Sequence, residues 1–198
     1  MKLLVTGGLG FIGSNFIRYM LTKYDEIQIT NLDKLSIGSS PANLQNDETN
    51  KRYNFVQGNI ANKKLVNNLA NKAEIIVNIA AETHVDRSIA EPWPFVHSNV
   101  IGAVTLFEVA KKYDKRILHV STDEVYGDIL EDSFREDDKL TPSSPYSASK
   151  AAADLFAEAY HRTYNLDVVI ARCTNNYGPY QHPEKFIPKS IVSAILNK

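Results

Sequence analysis

The sequence predicts an α/β fold: a doubly wound parallel sheet, followed by the start of a second, truncated lobe. Three observations predict it. Short apolar runs alternate with helical stretches along the chain. Runs such as KLLVT and EIIVNI are apolar throughout, as strands buried on both faces must be. The first run ends in TGGLGFIG, a glycine-rich turn that opens a helical pattern.

Taken in order, the expected strands are Lys2–Thr6, Gln28–Asp33, Tyr53–Gln57, 74–79, 116–121 and 167–173. The helical patterns between them cover Phe11–Lys23, 62–70, 95–113 and 146–164. Strand-helix-strand order requires right-handed crossovers. Residues 128–145 are charged and carry prolines, and read as a long surface loop with a functional role. After Cys173 the stretch NNYGPYQHPEKFIPKS is rich in turn formers and leads to a last helix over 187–197. One domain is therefore expected over 1–173 and the beginning of another over 174–198.

Bulk composition narrows the function. With 198 residues, 43% of them hydrophobic, the chain can bury one full core. Its net charge of -1 gives no support for a nucleic-acid partner. The single cysteine, Cys173, excludes an internal disulfide framework and points to a reducing compartment. No run approaches the ~18 apolar residues of a membrane span, and the first residues read as a strand, not a signal segment. A cytoplasmic protein with no membrane partner is expected.

Two ends of a site can be read. Gly7, Gly10 and Gly13 follow a strand and open a helix. Gly7 allows the tight turn, Gly10 lets a pyrophosphate approach the backbone, and Gly13 lets helix and strand pack closely. The helix N-terminus adds free N–H groups and a positive dipole end. Asp33, at the end of the second strand, suits the ribose hydroxyls and repels a 2′-phosphate, which favours NAD over NADP. At the other end, Tyr146 and Lys150 are four residues apart on one helix face. A lysine ammonium beside a phenol favours the phenolate, so Tyr146 is expected to serve as a base. Between these ends lies STDEVYG, with Asp123 and Glu124 adjacent at the end of a strand. Ser121-x-x-Glu124 also fits a capping box, which leaves Asp123 unexplained.

The glycine pattern, the Tyr-x-x-x-Lys pair and the hydroxyl cluster before it together resemble the extended short-chain dehydrogenase/reductase family. Thr122, Tyr146 and Lys150 match the positions that act there on a substrate hydroxyl beside the nicotinamide. The Asp123-Glu124 pair, with AAETHVDRSI, SPYSASKA and RCTNNYGPYQHPEKFIP, is similar to the nucleotide-sugar 4,6-dehydratases of that family. The resemblance runs along the whole chain. It implies a Rossmann-like NAD-binding domain over 1–173 that carries the catalytic residues, and a nucleotide-sugar lobe beginning at 174. It implies that Tyr146 takes the proton of the sugar 4-hydroxyl, that Glu124 takes the proton of carbon 5, and that Asp123 protonates the departing hydroxyl of carbon 6.

The resemblance also implies a cofactor set. Phe11 and Ile12 lie against the pyrophosphate, and Asp33, Lys34, Leu35 and Ser36 surround the adenosine ribose. Asn59 and Ile60 stand at the adenine, where Asn59 replaces the family's usual Asp and retains an acceptor. Ile79, Ala80, Ala81, Glu82 and Thr83 line the nicotinamide side, with Ser98 and Asn176 nearby. Thr83, Thr122, Asn175, Lys185 and Phe186 would touch the nucleotide sugar. His84, Asp86 and Arg87 are read as structural pairing at a helix start. His182 and Glu184 are too few for a metal site, so none is expected. The helices over 95–113 and 146–164 would form a four-helix bundle in a homodimer. Family chains are much longer, so the chain is expected to be an N-terminal portion that binds NAD and turns over little. Two alternatives stay open: a UDP-sugar dehydratase or decarboxylase of the same fold, the decarboxylase disfavoured by Asp123, and an NAD-binding module without turnover.

Overall fold

The structure, a computed structural model, describes residues 1–129 and 131–197. Leu130, inside the loop expected over 128–145, and Lys198, last residue of the expected second lobe, lie outside the described residues.

In chain order the elements are β1 (Lys2–Thr6), α1 (Phe11–Lys23), β2 (Gln28–Asp33), β3 (Tyr53–Gln57), α2 (Lys63–Ala70), β4 (Ile75–Asn78), α3 (Val85–Ala90), α4 (Trp93–Phe95), α5 (Ala103–Lys112), β5 (Arg116–Thr122), α6 (Pro145–Tyr164), β6 (Val168–Cys173) and α7 (Phe186–Ile195). The six strands form one parallel sheet in the order β3-β2-β1-β4-β5-β6. The chain winds outward from β1 in one direction, then returns to β4 and winds in the other. The strand ends part at this switch point, which is where such sheets bind ligands.

Side-chain alternation along β1 sets the two cores. Leu4 faces one side with Leu32, Ile76 and Ile117, under Val66 and Ala70 of α2, Leu106, Phe107 and Ala110 of α5, and Ala153 and Ala157 of α6. Leu3 and Val5 face the other, with Ile29, Val77 and Ile17 and Leu21 of α1. Burying each large aliphatic side chain contributes about 1.5–3 kcal/mol, which holds the strand ends in fixed register.

Where the elements differ from expectation, local chemistry accounts for it. The helix expected over 95–113 begins at Trp93, because prolines at 92 and 94 suit a first helical turn. A π-helical turn, Val96–Gly102, separates α4 from α5. The helix α6 begins at Pro145, with Ser144 and Ser147 exchanging side-chain and backbone hydrogen bonds as a capping box. Its end is set by Asn165 in the left-handed conformation. After β5 comes a short 3₁₀ turn, Asp123–Tyr126, whose cap is Thr122 and not Ser121: the Thr122 hydroxyl accepts from the Glu124 amide at 3.3 Å. No helix among the described residues is long and apolar enough to cross a membrane.

Candidate functional site

A cleft opens over the carboxyl ends of the strands. One end is built by the β1–α1 turn. Gly7 has φ +72, and a Cβ there would lie 2.6 Å from the Ala80 backbone. The turn therefore closes against the chain leaving β4 only because Gly7 lacks a side chain. A Cβ on Gly13 would strike the Gly7 carbonyl. The N-terminus of α1 has no side-chain cap and no acidic residue in its first turn. Its first N–H groups thus lack intrahelical partners and face an open cradle, a fit for a pyrophosphate.

Asp33 closes β2, 4% exposed. Its carboxylate accepts from the Leu9 amide at 3.0 Å and the Leu35 amide at 2.8 Å, which fixes it at the cleft edge with acceptor capacity left. Lys34 borders the cleft and bonds Glu82 at 2.6 Å and the Ser98 hydroxyl at 2.8 Å. Three residues expected near the cofactor are thus tied to one another.

The reactive end lies opposite. Thr122, Glu124 and Tyr146 border the same cleft as Gly7, Gly10, Phe11, Ile12 and Gly13. Tyr146 is buried, and its ring meets Phe95 edge-on at 6.3 Å. Burial, then the Glu124 carboxylate, pushes the phenol up, while the Thr122 hydroxyl opposes. This corrects the expectation that Lys150 draws it down. Lys150 turns its Nζ to the Val120 carbonyl, 2.7 Å away. Burial pulls the lysine down to about 8, with Asp154 opposing. Burial and then Asp123 raise Glu124, and Lys185 opposes them. A carboxylate so raised is a better base near neutral pH.

Most residues expected from the sequence border this one cleft: Ser36, Ile60, Ile79, Ala80, Ala81, Thr83, Ser98, Asn175, Asn176 and Lys185 join those already named. Six do not. Leu35 and Glu82 stand behind Asp33 and Lys34. Asn59 spends its side-chain oxygen on the Ala61 amide at 2.8 Å. Lys150 is buried, with its Nζ on the Val120 carbonyl. Asp123 accepts from the Thr122 hydroxyl at 3.2 Å and borders a neighbouring hollow with Tyr126 and Arg172. Phe186, 84% exposed, begins α7.

The cleft also contains residues that were not assigned from the sequence: Ser39, Cys173, Thr174, Gln181, His182 and Glu184. Glu184 pairs with Arg87 at 2.6 Å, with His84 and His182 at 3.7 and 3.4 Å. The pairing expected at the start of α3 therefore reaches across to the segment before α7. Among the described residues no group of three His, Cys, Asp or Glu side chains is placed to hold a metal ion.

The family model described as GDP-mannose 4,6 dehydratase matches residues 4–198. The low-salt glycan biosynthesis protein Agl12 of Haloferax volcanii is 50% identical over 195 residues, covering 98% of this chain and 63% of that protein. The dTDP-glucose 4,6-dehydratase of Mycolicibacterium smegmatis is 46% identical over 201 residues, covering 100% and 60%. Among solved structures, DesIV, a dTDP-glucose 4,6-dehydratase from Streptomyces venezuelae with NAD bound, superposes with a TM-score of 0.95 at 48% identity, over 100% of this chain and 63% of that one. The chain thus spans roughly three fifths of the length of the relatives it matches.

Proposed function

The chain belongs to the GDP-mannose 4,6 dehydratase family, and from that premise we propose that it carries the NAD site and catalytic residues of a dTDP-glucose 4,6-dehydratase. One observation carries the reading: Thr122, Glu124 and Tyr146 border the same cleft as the glycine turn, though they come from distant parts of the chain. The relatives named above supply the substrate class.

When bound, NAD supplies what no side chain can, an acceptor for the hydride of sugar carbon 4 that gives it back at carbon 6. The chain's own residues do the proton work. Tyr146 takes the proton of the 4-hydroxyl, and the Thr122 hydroxyl steadies the phenolic oxygen. A ketone at carbon 4 acidifies the hydrogen of carbon 5, which Glu124 removes. The hydroxyl of carbon 6 leaves as water with a proton from Asp123, the neighbour of Glu124 in the turn after β5. Lys185 donates to the Thr83 carbonyl at 3.4 Å, which ties the segment before α7 to the opposite wall of the cleft. As hydride returns to carbon 6, Glu124 hands a proton back to carbon 5, so the balance is loss of one water, with carbon 4 oxidised and carbon 6 reduced.

We further propose a homodimer through the outer faces of α4, α5 and α6. Trp93 of α4, Ile101 of the π-helical turn and Leu155 of α6 are exposed, Trp93 by 74%. Isolated apolar residues are ordinary on a surface, but large ones on successive elements of this helical layer suit a helix-to-helix interface.

The test uses enzyme in excess of dTDP-glucose with NAD, so that a single slow turnover is enough. Expected are NAD binding by calorimetry and a 4-keto-6-deoxy product lighter by one water. Product from UDP-glucose alone would overturn the choice of base. NAD binding with substrate unchanged would overturn the dehydratase reading in favour of a binding module.

A further inference from the structure

Beneath the cleft runs a buried polar chain for which the proposed reaction has no use so far. Thr6 on β1 donates its hydroxyl to Asn78 Oδ1 on β4 at 2.7 Å. That fixes the amide, so Asn78 Nδ2 faces His119 Nδ1 on β5 at 2.9 Å as the donor. His119 Nδ1 then accepts, which places the ring proton on Nε2. Nε2 lies 3.7 Å from Asp154 Oδ1 on α6, and neither atom has a hydrogen-bond partner. The other Asp154 oxygen accepts from Arg172 Nε at 2.8 Å. Thr6, Asn78, His119 and Asp154 are all buried. A carboxylate withdrawn from water must be compensated by donors and cations.

Asp154 is four residues after Lys150 and eight after Tyr146, so all three share one face of α6. Lys150 is 3% exposed, and it donates to the Val120 carbonyl. A neutral carbonyl does not balance a buried ammonium.

We propose that Asp154 is a positioning residue for the Tyr146–Lys150 pair: its carboxylate, held by Arg172 and faced by His119 at the end of the Thr6–Asn78–His119 chain, keeps the buried Lys150 charged. The inference rests on reading Tyr146 and Lys150 as the reactive pair. Burial lowers Lys150, and Asp154 is the foremost group opposing it. Burial, with Lys150 adding, holds His119 well below its ordinary value, so the ring is neutral, with its proton on Nε2 facing Asp154. Burial raises Asp154 itself, and Arg172 and Lys150 draw it back. The titratable groups acting on Lys150 are Asp154 of α6, Cys173 of β6 and His119 of β5. Glu124 and Asp123 act on Tyr146 from the turn after β5, and Glu158 and Tyr126 bond Arg172.

The test is an NMR titration of the chain with ¹³C at lysine Cε, with the Lys150 signal assigned from Lys150→Arg. Asp154→Asn should lower its midpoint by about one pH unit or more, and Asp154→Glu should restore it. An unchanged midpoint in Asp154→Asn overturns the proposal. Should that variant not fold, wild-type protein labelled at aspartate Cγ answers instead: Asp154 must be ionised wherever Lys150 is charged, and a neutral Asp154 at pH 7 overturns it. Neither readout needs cofactor or substrate. A failure here therefore leaves the dehydratase reading standing, and a failure of dehydration leaves these shifts in place.

Discussion

Lys150 donates its ammonium to the Val120 carbonyl at 2.7 Å, although Tyr146 shares its helix face one turn away. The lysine is thus anchored to β5, and the phenol is tuned mainly by burial and by Glu124. Proton transfer at the sugar 4-hydroxyl then depends on the Tyr146 oxygen itself. Tyr146→Phe should lower the single-turnover oxidation rate by about 10²–10⁴-fold and leave NAD affinity within a few-fold of wild type. Stopped-flow absorbance of the reduced nicotinamide reads the rate, and calorimetry reads the affinity.

Asp123 and Glu124 are neighbours in the chain but face different hollows. Their variants should separate two steps. Glu124→Gln should abolish exchange of the carbon 5 hydrogen with deuterated solvent. Asp123→Asn should retain that exchange and slow water loss more than the initial oxidation. Mass spectrometry and NMR of quenched reactions check both, and normal elimination by Asp123→Asn would remove its assigned role.

The raised pKa of Glu124 also has a stability consequence. A carboxyl whose folded pKa lies above its unfolded value favours the fold when protonated, and that contribution is lost as pH rises through the folded pKa. At pH 7 the wild-type chain therefore carries an unfavourable charge, partly desolvated and next to Asp123, that Glu124→Gln lacks. The variant should melt at a higher temperature than wild type at pH 7, and the difference should shrink as pH falls below the ordinary carboxyl range. Melting curves across pH measure this.

Gly7 combines a positive φ with backbone contact to Ala80. Gly7→Ala should cost about 1–3 kcal/mol in strain, seen as a melting temperature lower by roughly 2–4 °C per kcal/mol. NAD binding should weaken with it, because the turn and the α1 N-terminus move together.

If α4, α5 and α6 pair two copies, Trp93→Asp should shift the protein from dimer to monomer in sedimentation velocity while NAD binding persists. A monomer in wild type at micromolar concentration would remove the dimer proposal.

Much of this was legible before any coordinates, for physical reasons. The strands announce themselves where a parallel sheet covered on both faces favours unbroken apolar runs, and β1 and β4 fall within KLLVT and EIIVNI. The glycine turn was legible because Gly7 and Gly13 answer steric needs that no other residue meets. What was hidden depends on pairs distant in sequence. Nothing local to Arg87 shows that it meets Glu184, and nothing local to His119 shows that it faces Asp154. The direction of Lys150 was also hidden, since helical spacing places two side chains on one face without saying which partner each one takes.

The fate of the hydrogen on sugar carbon 4 tests the central claim most directly. With dTDP-glucose carrying deuterium at carbon 4, under single-turnover conditions with NAD, the deuterium should appear on the carbon 6 methyl group, and the carbon 5 hydrogen should come from solvent. Deuterium remaining at carbon 4, or lost to water, would contradict an internal oxidation and reduction in this cleft.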